Sequence, residues 1–168
     1  MTAATLANAV DQETAWLTTT GDGLPSLLKA NGGPWDVIQA YAPRTPNLRQ
    51  TTLYVLRRRF PTTRFAQQRR IASHFFQLTC TWPIGQGSSA TGIAETEQRN
   101  LDAALAQVIA RLEGFVGDKS HGGRFLSVGE TPNGSAFTPE LGDPLAGIAA
   151  GFLTATITYT ADGSEYIE

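Results

Sequence analysis

Alternating apolar and polar residues predict two β-strands in the middle of the chain, Leu53 to Phe60 and His74 to Trp82. In the second strand Phe76, Leu78 and Cys80 fall on one face, because successive side chains of a strand point to opposite sides. The other face carries more polar residues. We therefore expect the apolar face to pack on a helix and the strand pair to belong to the core sheet.

The connection between these strands, Pro61 to Ala72, is polar and basic. At about twelve residues it is longer than most hairpin loops, and connections of this length are usually functional or mobile. The whole stretch from Thr51 to Trp82 is thus predicted to form a long β-hairpin with a cationic tip.

Helical periodicity is clearest from Leu101 to Leu112, where apolar residues recur every three or four positions. Arg111 near the end suits the helix dipole, and Gly114 is well placed as the C-terminal cap. A second amphipathic helix is predicted between Thr5 and Leu17. These two are the main helices that we expect.

The C-terminal third predicts two more strands, Arg124 to Val128 and Phe152 to Thr160, the latter alternating threonine with apolar residues. Thr131 to Gly147 is predicted to be a long loop, Ala161 to Ser164 a turn, and Ile84 to Thr91 a Gly/Ser linker.

The element order is therefore helix, strand, strand, helix, strand, strand. It predicts one α+β domain over residues 1–168, in which two helices cover a largely antiparallel sheet of four strands or slightly more. Trp35 to Tyr41 is also compatible with a short strand.

Charge is divided unevenly along the chain. Residues 37–94 contain eight arginines and no Asp or Glu, so this segment carries +8. The net charge of the whole chain is -2, so the remainder must carry -10. Such a division implies that the arginine-rich segment meets an acidic surface.

Arginine, rather than lysine, supplies every cation of the hairpin, and phenylalanines lie close by in sequence. Guanidinium groups bind carboxylates and phosphates through two hydrogen bonds and also stack on aromatic rings. The predicted interface residues are Arg57, Arg58, Arg59, Arg64, Phe65, Arg69 and Arg70.

Three interpretations of this segment remain open: a solvated hairpin face, a nucleic-acid contact, and a contact with an acidic protein surface. A sequence pI of about 5.7 is unlike that of a free DNA-binding domain. An acidic protein, including a second copy of this chain, therefore fits the charge better than nucleic acid does.

Catalytic patterns do not emerge from the sequence. Cys80 and His74 are six positions apart on one predicted strand, a distance of about 20 Å, so they cannot form a dyad within it. A hydrolase would need His74 or His121 to reach Cys80 through tertiary folding. We instead predict that Cys80 is a small buried residue and that His74 lies at a strand edge or interface.

Binding motifs for ions and nucleotides are equally weak. Asp118 and Glu113 occupy the positions where a phosphate-binding loop around Lys119 would need glycine. No Cys/His spacing suits zinc, and the acidic residues lack the spacing of a calcium loop. The sequence therefore predicts a protein that is not an enzyme, with no metal and no cofactor.

The single cysteine excludes an internal disulfide framework and favours a reducing cytoplasm, or a particle assembled there. No stretch approaches the roughly 18 apolar residues of a membrane span, so we expect no membrane partner.

The order of elements resembles that of the tail terminator, or tail-completion, proteins of long-tailed bacteriophages. The resemblance covers most of the chain and rests on the N-terminal helix, the long hairpin, the helix Leu101 to Leu112 and the closing strands. The insertion from Gly21 to Arg49 is longer than that family leads us to expect, which leaves room for another neck or head-tail joining role.

This resemblance implies a non-enzymatic virion protein, assembled in the host cytoplasm. Its copies would form a ring, usually hexameric, that caps the tail tube and joins it to the head-neck connector. The arginine-bearing hairpin would then face an adjacent subunit, the tube end or the lumen through which DNA passes.

Overall fold

The computed structural model describes residues 2–84, 91–131 and 134–167 of the chain. The described part has an α+β fold. Its helices are α1 (Ala9–Thr18), α2 (Thr91–Glu113) and α3 (Pro144–Ala150), with a 3-10 turn at Lys29–Asn31. Its strands are β1 (Val37–Ala40), β2 (Thr52–Arg59), β3 (Thr62–Ala66), β4 (Arg69–Pro83), β5 (Ser127–Val128), β6 (Glu130–Thr131), β7 (Gly134–Ser135), β8 (Thr138–Leu141) and β9 (Phe152–Tyr166).

Seven strands form one mixed, mostly antiparallel sheet in the order β1-β2-β4-β9-β5. β3 pairs with β4 beyond the end of β2, and β8 pairs with β9. β1 runs parallel to β2, while β6 and β7 form a separate two-stranded sheet. The α+β class and the largely antiparallel sheet are confirmed, but the predicted two-helix, four-stranded order is incomplete.

One face of the sheet carries the core. Leu53 pairs with Cys80, which pairs with Ala155, and directly paired residues share a face. These side chains are buried in one hydrophobic cluster with Val10 of α1 and Val108 of α2. The helical prediction from Leu101 to Leu112 is confirmed within α2, and the N-terminal helix is confirmed with a later start.

A reciprocal turn precedes α1. Asn8 Oδ1 accepts a hydrogen bond from the Thr5 backbone N–H at 2.6 Å, and Thr5 Oγ1 accepts one from the Asn8 N–H at 3.3 Å. These two bonds satisfy backbone donors in the turn before Ala9, the first residue of α1.

The predicted loop from Pro61 to Ala72 is wrong, because most of this segment is strand. β3 and β4 are joined by a two-residue turn at Gln67 and Gln68, and every residue of β3 is exposed. The predicted turn Ala161 to Ser164 is also wrong, since β9 continues through it while pairing with β4. We call residues 57–73, which comprise the outer end of β2, β3, its turn and the start of β4, together with residues 162–166 of β9, the arm.

Backbone pairing explains these errors. Asp162, Gly163 and Ser164 favour turns but remain extended, because β4 supplies a paired strand for them. Gly163 also suits this place, since a side-chain carbon there would lie 3.3 Å from Nε2 of His74. Tertiary context therefore overrides local propensity.

The predicted loop from Thr131 to Gly147 is wrong as well, since it contains β8 and the start of α3. Asp143 caps α3 by accepting a hydrogen bond from the Leu145 N–H at 3.0 Å. The predicted strand Arg124 to Val128 shortens to β5. Of the predicted linker, residues 85–90 lie outside the described part of the chain.

Candidate interaction surface

The arm contains most of the arginines that the sequence singled out, and their contacts separate them into two groups. Arg57 and Arg70 have partners within the fold. Arg58, Arg59, Arg64 and Arg69 are exposed.

Arg57 ties the N-terminal segment to the sheet. Its Nη1 donates a hydrogen bond to the Leu6 carbonyl at 2.8 Å and lies 3.3 Å from Nδ1 of His74. The Phe60 ring lies 4.0 Å from the guanidinium carbon, so the cation is also stacked. Arg57 is half-buried, and its contacts within the domain indicate a structural role.

Arg70 forms a cross-strand ion pair with Glu165 on β9. The second carboxylate oxygen of Glu165 accepts a hydrogen bond from the Leu6 N–H at 3.0 Å. The same N-terminal residue therefore contacts both sides of the arm through Arg57 and Glu165, which fastens the arm to the domain.

The four exposed arginines are held in place by neutral partners. Arg58 donates to Oε1 of Gln77 at 3.1 Å, and Arg59 stacks on Phe75 at 4.0 Å. Arg69 donates to the Tyr166 hydroxyl at 2.8 Å and lies over the same ring. Arg64 donates to the carbonyls of Ala66 and Gln67 in its own turn.

These contacts orient the guanidinium groups without neutralising them. Within the described part of the chain, none of the four exposed arginines forms an ion pair. Phe65 at the tip is 52% exposed and Phe60 at the base is 46% exposed. The arm therefore presents aromatic surface and uncompensated positive charge together, which is typical of an interaction surface.

A groove of about 310 Å³ runs along the root of the arm on the side away from the core. Arg58 and Arg59 form one wall, and Thr131 and Thr138 lie on the other. Phe75 is part of the lining. Two cations, hydroxyl groups and an aromatic ring are suitable neighbours for an anionic group.

The opposite charge collects in the C-terminal part of the chain. From Phe125 to Glu168 there are six acidic residues and no Lys or Arg. Glu140 and Asp143 are exposed there, and Asp102 is exposed on α2. None of these three carboxylates belongs to an ion pair within the ranges that the structure describes.

The residues considered for catalysis are sealed in the core. Cys80 is fully buried, and burial raises the pKa of its thiol. His74 is also buried, between the rings of Phe76 and Phe125, so its predicted place at an edge or interface is wrong. Side chains of β4 alternate between the two faces of the sheet, and His74 lies on the same buried face as Phe76 and Cys80.

Sequence reasoning missed a buried polar network around Glu13. Its two oxygens contact the Tyr159 hydroxyl at 2.6 Å and Nδ1 of His121 at 3.0 Å. Nε2 of His121 donates to the Leu112 carbonyl at 2.7 Å, because a carbonyl only accepts. Burial, together with the Glu13 carboxylate, raises the pKa of Tyr159.

A buried cation, Arg111, lies beside this network. Arg111 donates to the Trp16 carbonyl and to both carboxylate oxygens of Asp22, at 2.8 to 3.1 Å. Trp16 stacks on His121 with 4.8 Å between ring centroids. These long-range pairs leave no pattern in the sequence, since their members come from distant segments. Their burial indicates a structural role.

Across the described ranges, no three His, Cys, Asp or Glu residues are arranged to bind a metal ion. The helices described there include none that is both long and apolar enough to cross a membrane. A scan against protein-family models and a search of curated proteins find no match to this chain.

Proposed function

We propose that this chain is a structural subunit of a bacteriophage tail, a tail terminator whose copies close into a ring at the end of the tail tube. The arm is the single observation that carries this proposal. It is a well-paired strand structure with an exposed surface rich in arginine and phenylalanine, and its exposed cations have no counter-charge among the described residues.

Charge favours assembly with protein. An arm with four exposed guanidinium groups and a C-terminal region with no Lys or Arg give each copy two complementary surfaces. Contacts between different surfaces of identical subunits are heterologous, and they close into a ring when the rotation between neighbours allows it. The tube protein and the head-neck connector are the other proposed partners, and the virion tail is the proposed location.

Self-association and tube capping test this function. We expect the purified protein to form oligomers at low salt that dissociate as salt increases, since exposed charge pairs are screened. Added to polymerising tail tube protein, it should stop tube elongation. The measurements are light scattering coupled to size exclusion, and tube length by electron microscopy.

Arg64→Glu is the informative variant, since Arg64 is exposed at the tip of the arm. Arg44→Glu is its control, because Arg44 is exposed and makes the same charge change outside the arm. A protein that stays monomeric at every salt concentration, and leaves tube growth and connector binding unaffected, contradicts the proposal.

The groove beside Arg58 and Arg59 favours one alternative, a nucleic-acid contact. Phosphate binding by guanidinium groups gives affinity that falls steeply with salt. A salt titration of DNA binding by the wild type and by Arg58→Ala/Arg59→Ala tests it. A steep salt dependence that this double substitution removes would favour the nucleic-acid function.

A further inference from the structure

An exposed apolar cluster lies on the opposite edge of the sheet from the arm's β3. Helix α3 contains no charged residue, and its Leu145 is 78% exposed. Leu141 at the end of β8 is 57% exposed. Apolar residues collected in this way on a surface commonly mark a binding site.

A groove connects this cluster with α2. One part, of about 350 Å³, is lined by Leu105 and Ile109 of α2 and by Pro139 and Leu141 of β8. A smaller depression continues toward Pro144 at the start of α3. Asp102 and Leu141 line both parts, so the groove runs along α2, β8 and α3. We call it the α2–α3 groove.

Negative charge lies at this groove. Asp102 lies within its lining, and Asp143, between the lining residues Gly142 and Pro144, is exposed at the entry to α3. The groove thus combines an apolar floor with negative charge. The arm combines exposed phenylalanine with positive charge, and the two surfaces are complementary.

Backbone geometry determines how the groove is filled. The Gly142 N–H donates to the Thr154 carbonyl, so alternate residues of β8 point their backbone groups away from β9. Pro139 is one of the outward residues and has no N–H. Proline disfavours strand addition at a sheet edge, so this edge favours an occupant that binds through side chains.

We propose that the α2–α3 groove receives the arm of a second copy of this chain. Phe65 enters the apolar groove, and Arg64 and its neighbours meet Asp102 and Asp143. β3 and β8 lie at opposite edges of the sheet, so the contact is head-to-tail and leaves a free arm and a free groove at the two ends of each assembly. This inference rests on the proposed ring and names its interface.

Two variants test the pairing. Arg64→Glu/Phe65→Ser disables the arm, and Asp102→Lys/Leu141→Glu disables the groove, since Asp102 and Leu141 line both of its parts. All four side chains are exposed, so folding should survive, which a thermal melt checks. Size exclusion with light scattering at low salt measures the assemblies.

Each variant alone should remain an 18.0 kDa monomer. Mixed in equal amounts, they should form a heterodimer of twice that mass and nothing larger, since one intact arm and one intact groove remain between them. Arg44→Glu/Leu126→Glu alters an exposed arginine and an exposed leucine elsewhere and should assemble as the wild type does. Asp102→Lys alone is the fallback if the double groove variant unfolds.

The outcomes separate this inference from the proposed function. Variants that assemble like the wild type overturn the arm-in-groove contact, while tube capping by the wild type would leave the tail terminator intact. A wild type that caps tubes but stays a monomer would likewise overturn the arm-in-groove contact and leave the tail terminator intact. Loss of DNA binding by the arm variant, with self-association unchanged, overturns the inference and favours nucleic acid.

Discussion

The guanidinium of Arg57 lies 3.3 Å from Nδ1 of His74 and determines the tautomer of the neutral ring. Arginine only donates hydrogen bonds, so Nδ1 must accept, and the neutral imidazole carries its proton on Nε2. Burial, aided by the Arg57 charge, lowers the pKa of His74 from 6.5 to about 4, although Glu165 and Asp162 oppose the shift.

This pair predicts acid sensitivity. Between pH 6.5 and 4 the unfolded chain binds a proton at His74 that the folded protein does not, so stability falls as pH decreases through this window. The slope contributed by His74 should approach one proton. Denaturant unfolding at several pH values measures it.

His74→Gln is the matched variant for that measurement, because its amide oxygen can still accept from Arg57 while the group no longer titrates. We expect the slope between pH 4 and 6.5 to decrease by about one proton. An unchanged slope would show that His74 is protonated at the same pH in both states.

Glu13 is predicted to be a stability determinant. Glu13→Ala leaves the Tyr159 hydroxyl and Nδ1 of His121 without their buried partner, which should cost about 3 kcal/mol or more. Glu13→Gln keeps an oxygen acceptor for Tyr159 and places an amide group opposite Nδ1 of His121, so we expect a cost of about 1 kcal/mol. Urea unfolding measures both, with exposed Glu113→Ala as control. Equal costs for the two Glu13 variants would contradict this hydrogen-bond assignment.

Gly129 should not tolerate a side chain. Its φ is +75°, and an added Cβ would lie 2.3 Å from the Phe137 ring. Gly117 has a φ of +85° but open space around it, so Gly117→Ala isolates the backbone cost of about 1 kcal/mol. Gly129→Ala should lower the free energy of unfolding by a further 1 to 3 kcal/mol, roughly. Similar losses for both variants in thermal or urea melts would exclude the steric contribution.

Cys80 should be unreactive in the native protein. Its thiol is fully buried, and the raised pKa removes the nucleophilic thiolate at neutral pH. A thiol reagent should label it in denaturant and at least a hundredfold more slowly under native conditions. Rapid native labelling would indicate local opening of β4.

The sequence predicted those elements in which local pattern and tertiary environment agree. α2 has an apolar stripe that packs on the sheet. The burial of Cys80 follows from the alternation of apolar and polar residues along β4. The same alternation includes His74, which we nevertheless predicted to lie at a strand edge or interface. For His74, the alternation along the strand was the better predictor of burial.

The remaining errors concern segments whose structure depends on distant partners. Residues 161–164 look like a turn until β4 pairs with them, and β8 is a strand because β9 lies alongside. The contacts of Glu13 with His121 and of Arg57 with Leu6 join segments far apart in sequence. The arginines of the arm were identifiable from composition, whereas the division between Arg70, paired with Glu165, and the exposed Arg69 required coordinates.

The pairing of β4 with β9 has a mechanical consequence. The two strands are paired from Arg69 and Tyr166 at one end to Pro83 and Phe152 at the other, about 50 Å of continuous ladder. The arm is therefore the outer end of a long two-stranded ladder whose inner end lies in the core. A force applied at its tip is transmitted along the paired strands into the core.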